Sequence, residues 1–212
     1  MKKIFIFLIL GMCLIGFVSG ALELGTNAGF VTTAPTTDPE GITITGAIDN
    51  KATAIYDTSP IGNNIITEIG WWCQNIAEES DFEVGIYNDD GGGEYPTNLI
   101  GKSSAVAKGT TAGWKKITGL NIPISSSTIY WIAMQLDDTT TDTKTDYINS
   151  GALSETVSGN TELSNPFGID AGDSITLAYY AVYEASAFST IPHTKFKDGK
   201  LQLKDGRFRL YG

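Results

Sequence analysis

Three groups of residues in this 212-residue chain have types and spacings that could do chemistry. The first is rich in oxygen: Asn88, Asp89 and Asp90 run into three glycines, and Asp137, Asp138 and Asp142 stand in the polar run DDTTTDTKTD. Calcium takes about six to eight oxygens from carboxylates and carbonyls, so Ca2+ is the cofactor these loops suit, although neither run has the spacing of a helix-loop-helix calcium hand. The competing reading is solvated loop charge. The second group is aromatic: Trp72, Trp131, Tyr87 and Tyr180 each lie on the strand parity opposite the better apolar set. Rings exposed in that way would stack on the apolar faces of a sugar; packing between two covered sheet faces is the alternative, because aromatics are core residues first. Trp114, just after Gly113, reads as a core ring where a strand begins. The third group is basic: Lys195, Lys197, Lys200, Lys204, Arg207 and Arg209 crowd the C-terminal end. Attachment to an anionic wall polymer or lipid headgroup, pairing with the acidic body of another copy, and a solvated face that blunts an exposed edge are all open for it.

Catalytic groups are scarce. The one histidine, His193, sits in a proline-containing link, a poor place to fix a general base. No nucleophile elbow, phosphate-binding glycine loop or zinc spacing is present. The acidic doublets Glu78-Glu79, Asp89-Asp90 and Asp137-Asp138 fall in turn-like runs. A glycosidase needs only two carboxyls facing each other across a cleft, so a glycoside-active enzyme is the catalytic alternative to an expectation of no enzyme.

What must position these groups begins after a leader. MKKIFIFLILGMCLIGFVSG has two lysines, an apolar run and small residues at its end, the make-up of a signal peptide over residues 1–20 cleaved after Gly20. No second apolar run of about twenty residues follows, so the mature chain is expected to lack a membrane span and to be secreted or held at the cell surface. Only Cys73 then remains, too few for an internal disulfide; it falls on the apolar parity of its strand, as a buried small hydrophobe. From Ala21 to Thr194 six cations face 22 carboxylates, a charge of −16, whereas the tail carries +4. An acidic body does not favour nucleic acid.

Residues 21–190 read as one β domain. Its centre is Ile65 to Tyr87, two long strands joined by a short polar turn and taken as a pair. Phe82, Val84 and Ile86 alternate with polar or small residues, and Ile65, Ile69, Trp71 and Cys73 share a side. Before it come a lead-in segment or an edge strand through Gly29 to Thr33, and strands in GITITGAI and KATAIYDTS. After the loop NDDGGGEYPTN come Leu99 to Lys108, Trp114 to Leu120 and TIYWIAMQLDD, whose two apolar faces mark it as central. A weak strand at Tyr147 to Ser150, a long loop from Gly151, and a last strand from Ser174 to Glu184 complete the body. Helical spacing is absent, and many short strands with turn signals between them make an all-β, two-sheet jelly-roll-type sandwich.

The tail, residues 191–212, repeats KDGKLQL as KDGRFRL, and each Asp-Gly fits a two-residue hairpin turn. The expected β-meander opposes Lys197 to Lys200, Lys204 to Arg207, Leu203 to Phe208 and Leu201 to Leu210, gathering the apolar residues on one face and the basic ones on the other.

Three segments, VGIYNDDGGGEYPTNLIG, AGWKKITGLNIPI and STIYWIAMQLDD, lie within Val84 to Asp138 and resemble the strand-and-turn pattern of secreted jelly-roll modules of bacterial and archaeal surface proteins, carbohydrate-binding-like domains among them. The resemblance implies an extracellular binding or structural accessory domain and carries over no catalytic residue. The function expected is a secreted, non-catalytic binding or adhesion module at a cell or particle surface, with polysaccharide or another surface polymer as partner. The alternative is a structural subunit of an appendage, sheath or virion that self-associates through its tail.

Overall fold

A computed structural model describes residues 21–43, 47–186, 200–204 and 207–211. Its strands are β1 (Gly29–Val31), β2 (Ile42–Thr43), β3 (Lys51–Thr58), β4 (Asn64–Cys73), β5 (Asp81–Asp89), β6 (Pro96–Lys102), β7 (Val106–Ala107), β8 (Gly113–Ile124), β9 (Ile129–Leu136), β10 (Asp146–Ser158), β11 (Ala171–Leu177), β12 (Tyr179–Ala185), β13 (Lys200–Lys204) and β14 (Arg207–Tyr211). The smaller sheet runs β1-β12-β4-β8; the larger runs β11-β10-β3-β9-β5-β6, with β2 beside β10 and β7 beside β5. The fold is an all-β sandwich. Successive strands cross from one layer to the other, β3 large, β4 small, β5 and β6 large, β8 small and β9 large, in the manner of a jelly roll.

Alternation builds the core. Ile66, Ile69 and Trp71 of β4 and Ile122 and Ile124 of β8 meet Ile55 of β3, Val84 and Ile86 of β5, and Ile132 and Met134 of β9. Trp71 packs edge-on against Phe82 at 5.8 Å, and Cys73 is buried as expected. Inside this apolar layer Thr53 Oγ1 and the Tyr179 hydroxyl bond each other at 2.5 Å, which keeps both polar atoms satisfied. Strand β9 lies between β3 and β5 with both faces covered, as its two apolar parities required.

Four expectations are corrected. β4 and β5 are not paired neighbours but face one another from opposite sheets. The run 74–80 is too long for a tight hairpin turn, and Gln74 N–H bonds Lys144 O at 2.9 Å, drawing the chain across the gap between layers. Within β4 the register shifts between Ile66 and Glu68 against both neighbours. The extra residue reverses the parity, so Ile66 rather than Ile65 joins Ile69 in the core. The segment Ser174 to Glu184 is two strands in two sheets. The hinge is Ala178, fully buried, whose N–H bonds Asp146 O at 2.8 Å while its carbonyl accepts from Trp72 N–H at 2.9 Å. Finally, β10 extends through the stretch from Gly151 to Ser158 expected to be loop. Its alternation is hidden because Gly151 sits at φ +74° inside a register shift, and because the residues it buries, Ser154 and Glu155, are polar.

Of GITITGAI only Ile42–Thr43 is described as strand. The signal peptide, His193 and the first tail turn lie outside the described residues. β13 and β14 pair in the expected register, Lys204 with Arg207, Leu203 with Phe208 and Leu201 with Leu210, as a separate two-stranded sheet. Among the described residues no helix is long and apolar enough to cross a membrane.

Candidate functional site

The outward face of the smaller sheet carries a strip of three rings. Trp72 on β4 and Trp114 on β8 are directly opposed across the ladder, and their rings meet edge-to-face at 5.4 Å. Trp114 in turn meets Tyr180 at 5.1 Å, although Tyr180 belongs to β12 on the far side of β4. What lets it reach is Gly70, its partner in the β12–β4 ladder. A Cβ there would lie 2.6 Å from the Tyr180 ring, so a glycine in mid-strand leaves the floor on which that ring lies.

A polar arm closes the strip. The Tyr180 hydroxyl donates to Glu68 Oε1 at 2.6 Å, and Lys116 bonds Glu68 Oε2 at 3.3 Å. Burial first, then the bond to the Glu68 carboxylate, pushes the Tyr180 phenol well above its usual range, so it stays a donor. Trp114 Nε1 donates to Thr37 O at 2.8 Å, pinning the N-terminal segment along one border. The two tryptophans pack against Leu22, Ala28 and Ala178 and remain half-buried. The strip therefore sets two half-buried indoles, with the Trp72 Nε1–H buried and without a partner, beside an acceptor, Glu68, and an exposed donor, Lys116. Apolar ring contact with a few placed polar groups at its end is what binding a sugar needs.

The other two rings of the expected platform are elsewhere, and that expectation is corrected for them. Tyr87 and Trp131 are fully buried on the outer face of the larger sheet. The loop after β10 folds over them, with Phe167 edge-on to Tyr87 at 5.1 Å and Leu163 in the same cluster. The loop is fastened by its backbone: Ser164 O accepts from the Tyr87 hydroxyl at 2.7 Å, Asn160 O from Gln135 Nε2 at 2.9 Å, and Leu163 N–H donates to Glu83 Oε2 at 3.0 Å. A ring with no exposed face cannot stack on a ligand. Tyr180 is likewise buried and contributes by supporting Trp114 and orienting Glu68.

The calcium candidates also have local work. Asp89 Oδ2 accepts from Gly91 and Gly93 N–H, and Asp89 Oδ1 from Trp131 Nε1 at 3.0 Å. Asp90 caps Gly92 and Glu94, and the Gly92 N–H above all holds its carboxyl below the usual range. Asp137 accepts from Gln135 Nε2 at 2.9 Å. Asn88, Asp138 and Asp142 are exposed. Among the described residues no three His, Cys, Asp or Glu side chains gather as a metal site; Asp89 and Asp90 order the glycine turn they stand in. Sequence reasoning placed Trp114 in the core and did not pick out Glu68 or Lys116. The available signal was that Trp72, Glu68, Trp114 and Lys116 hold the same parity in strands that pair.

No family model matches this chain, and no curated protein does.

Proposed function

We propose that the mature chain is a secreted, non-catalytic binding module that holds a polysaccharide or related surface polymer at a cell or particle surface. The observation that carries this reading is the half-buried Trp72–Trp114 pair on a sheet face, set beside Glu68 and Lys116. Aromatic faces supply sequence-tolerant apolar contact, and a few placed polar groups orient the ligand. The resemblance of Val84 to Asp138 to carbohydrate-binding-like jelly rolls points the same way. Glycan-array binding of the mature chain tests it: retention of neutral glycans is expected, abolished by Trp72→Ala with Trp114→Ala, and unchanged by a calcium chelator because Asp89, Asp90 and Asp137 already accept hydrogen bonds within the protein. Equal retention by the double variant would remove the face from the proposal.

A second reading, a structural subunit of an appendage, sheath or virion, is favoured by one observation. β13 and β14 form a two-stranded sheet that joins neither layer of the sandwich, and a lone hairpin is marginal in water without a surface to rest on. Deleting residues 195–212 separates the readings: lost assembly with intact glycan binding supports the subunit.

A further inference from the structure

An open groove of about 490 Å3 lies on the larger sheet, away from the ring strip. Glu94 and Tyr95 from the β5–β6 turn form one bank, Ile169 and Asp170 from the covering loop another, with Glu155 of β10 and Asp173 of β11 along its floor. Tyr95 and Ile169 are exposed, 42% and 46%. Among the described residues four carboxylates line the groove and no cation does.

Glu155 distinguishes this groove from ordinary surface acidity. Its residue is only 3% exposed, yet its Oε2 has no hydrogen-bond partner. The space it occupies is built for it: Gly172 is its cross-strand partner, and a Cβ on Gly172 would collide with Glu155 Oε1. An orphaned carboxylate oxygen at this depth costs free energy unless a donor arrives. Burial, with Asp173 nearby, holds the carboxyl above the usual carboxylate range, in keeping with a missing donor.

The donor has a source in the chain itself. Most lysines of the body are engaged away from the groove: Lys51 with Ala47 O, Lys102 with Glu83 and Glu162, Lys108 with Glu78 O, Lys115 with Thr111 and Lys116 with Glu68. The remaining cationic segment of the mature sequence is the tail, charge +4 against −16 for the body, with Lys200, Lys204, Arg207 and Arg209 on a hairpin whose strands pair with each other and with no strand of the sandwich. We propose that this groove receives the basic C-terminal tail of a second copy of the chain, so that copies associate head to tail. The inference rests on the structural-subunit reading and names its socket. Lysine ammonium or arginine guanidinium groups donate to Glu155 and Asp173, and Tyr95 and Ile169 cover apolar parts of the hairpin. Because groove and tail are unlike surfaces, the contact is heterologous and propagates to a ring or an open filament.

Sedimentation velocity of the mature chain over a range of concentration and salt tests this, alongside Glu155→Gln/Asp173→Asn, the chain lacking 195–212, and an equimolar mixture of the two. The expected result is association of the wild type that dissolves with salt, weakening of at least about tenfold in each variant, and a heterodimer that grows no further in the mixture, where one chain supplies the groove and the other the tail. That heterodimer also shows that both variants fold. If the wild type associates and the groove variant associates equally well, the socket is wrong while the subunit reading stands. A wild type monomeric throughout overturns both. If the groove variant instead loses glycan retention, the groove belongs to a sugar and the proposal is overturned.

Discussion

The two outward faces of this sandwich carry the same kind of residue and end in opposite states. On the larger sheet Tyr87 and Trp131 sit beneath Phe167 and Leu163, and the covering loop is fastened through its own backbone to Tyr87, Gln135 and Glu83. On the smaller sheet Trp72 and Trp114 stay half-buried against Leu22, Ala28 and Ala178, and Trp114 is bonded to the N-terminal segment along one side. The difference teaches that an aromatic residue on the polar parity of a strand is not thereby a ligand contact. What decides is whether another stretch of chain has donors, acceptors and apolar side chains with which to settle over it.

The largest expected effect is on the covered face. Trp131→Ala should cost about 3–5 kcal/mol in urea unfolding, because removing a fully buried ring leaves a cavity and takes the indole donor from Asp89 Oδ1. Trp72→Ala, half-buried, should cost roughly 1–2 kcal/mol by the same scale. Equal losses at the two positions would break the contrast.

Next comes Gly70→Ala. Its methyl meets the Tyr180 ring at 2.6 Å, and overpacking of this kind costs about 1–3 kcal/mol. Displacing Tyr180 should also disturb Trp114 and Glu68, so glycan retention should fall with stability; unchanged retention would dissociate the strip from binding. Tyr180→Phe removes only the hydroxyl, and with Lys116 still on Glu68 a loss of about 1 kcal/mol is expected. Its milder effect on retention would show that Tyr180 supports the strip and does not itself contact the ligand.

The smallest effect is one of pH. The Glu155 carboxyl is held above the usual carboxylate range by burial, so the folded chain binds more protons than the unfolded one between the unfolded and folded values. Stability from this group therefore rises as pH falls through that window and is lost as pH rises through it. Glu155→Gln should raise the melting temperature slightly at neutral pH, and the advantage should vanish toward about pH 4, in the unperturbed carboxylate range. An advantage independent of pH would mean that the gain comes from something other than the buried charge.

Much of the architecture was legible in residue order. Period-two alternation in β3, β5 and β9, the double-faced apolar character of β9, the edge position of β1 and the Asp-Gly register of β13 and β14 all follow from local chemistry that neighbours in the chain impose on one another. Cys73 was legible as a core residue for the same reason. The loop acids were legible as loop residues, but not as caps for their own glycine turn.

Other features needed the third dimension. The bulge at Thr67, the change of sheet at Ala178 and the reach of Tyr180 across Gly70 depend on which strands become neighbours, and local spacing holds no record of that. The burial of Tyr87 and Trp131 was set by a loop more than thirty residues further on, and the space Glu155 fills by Gly172 on the partner strand β11 beside it. Alternation states which way a side chain points relative to its own strand; only packing states what it meets there, because burial is a property of surfaces brought together and not of the order in which they were made.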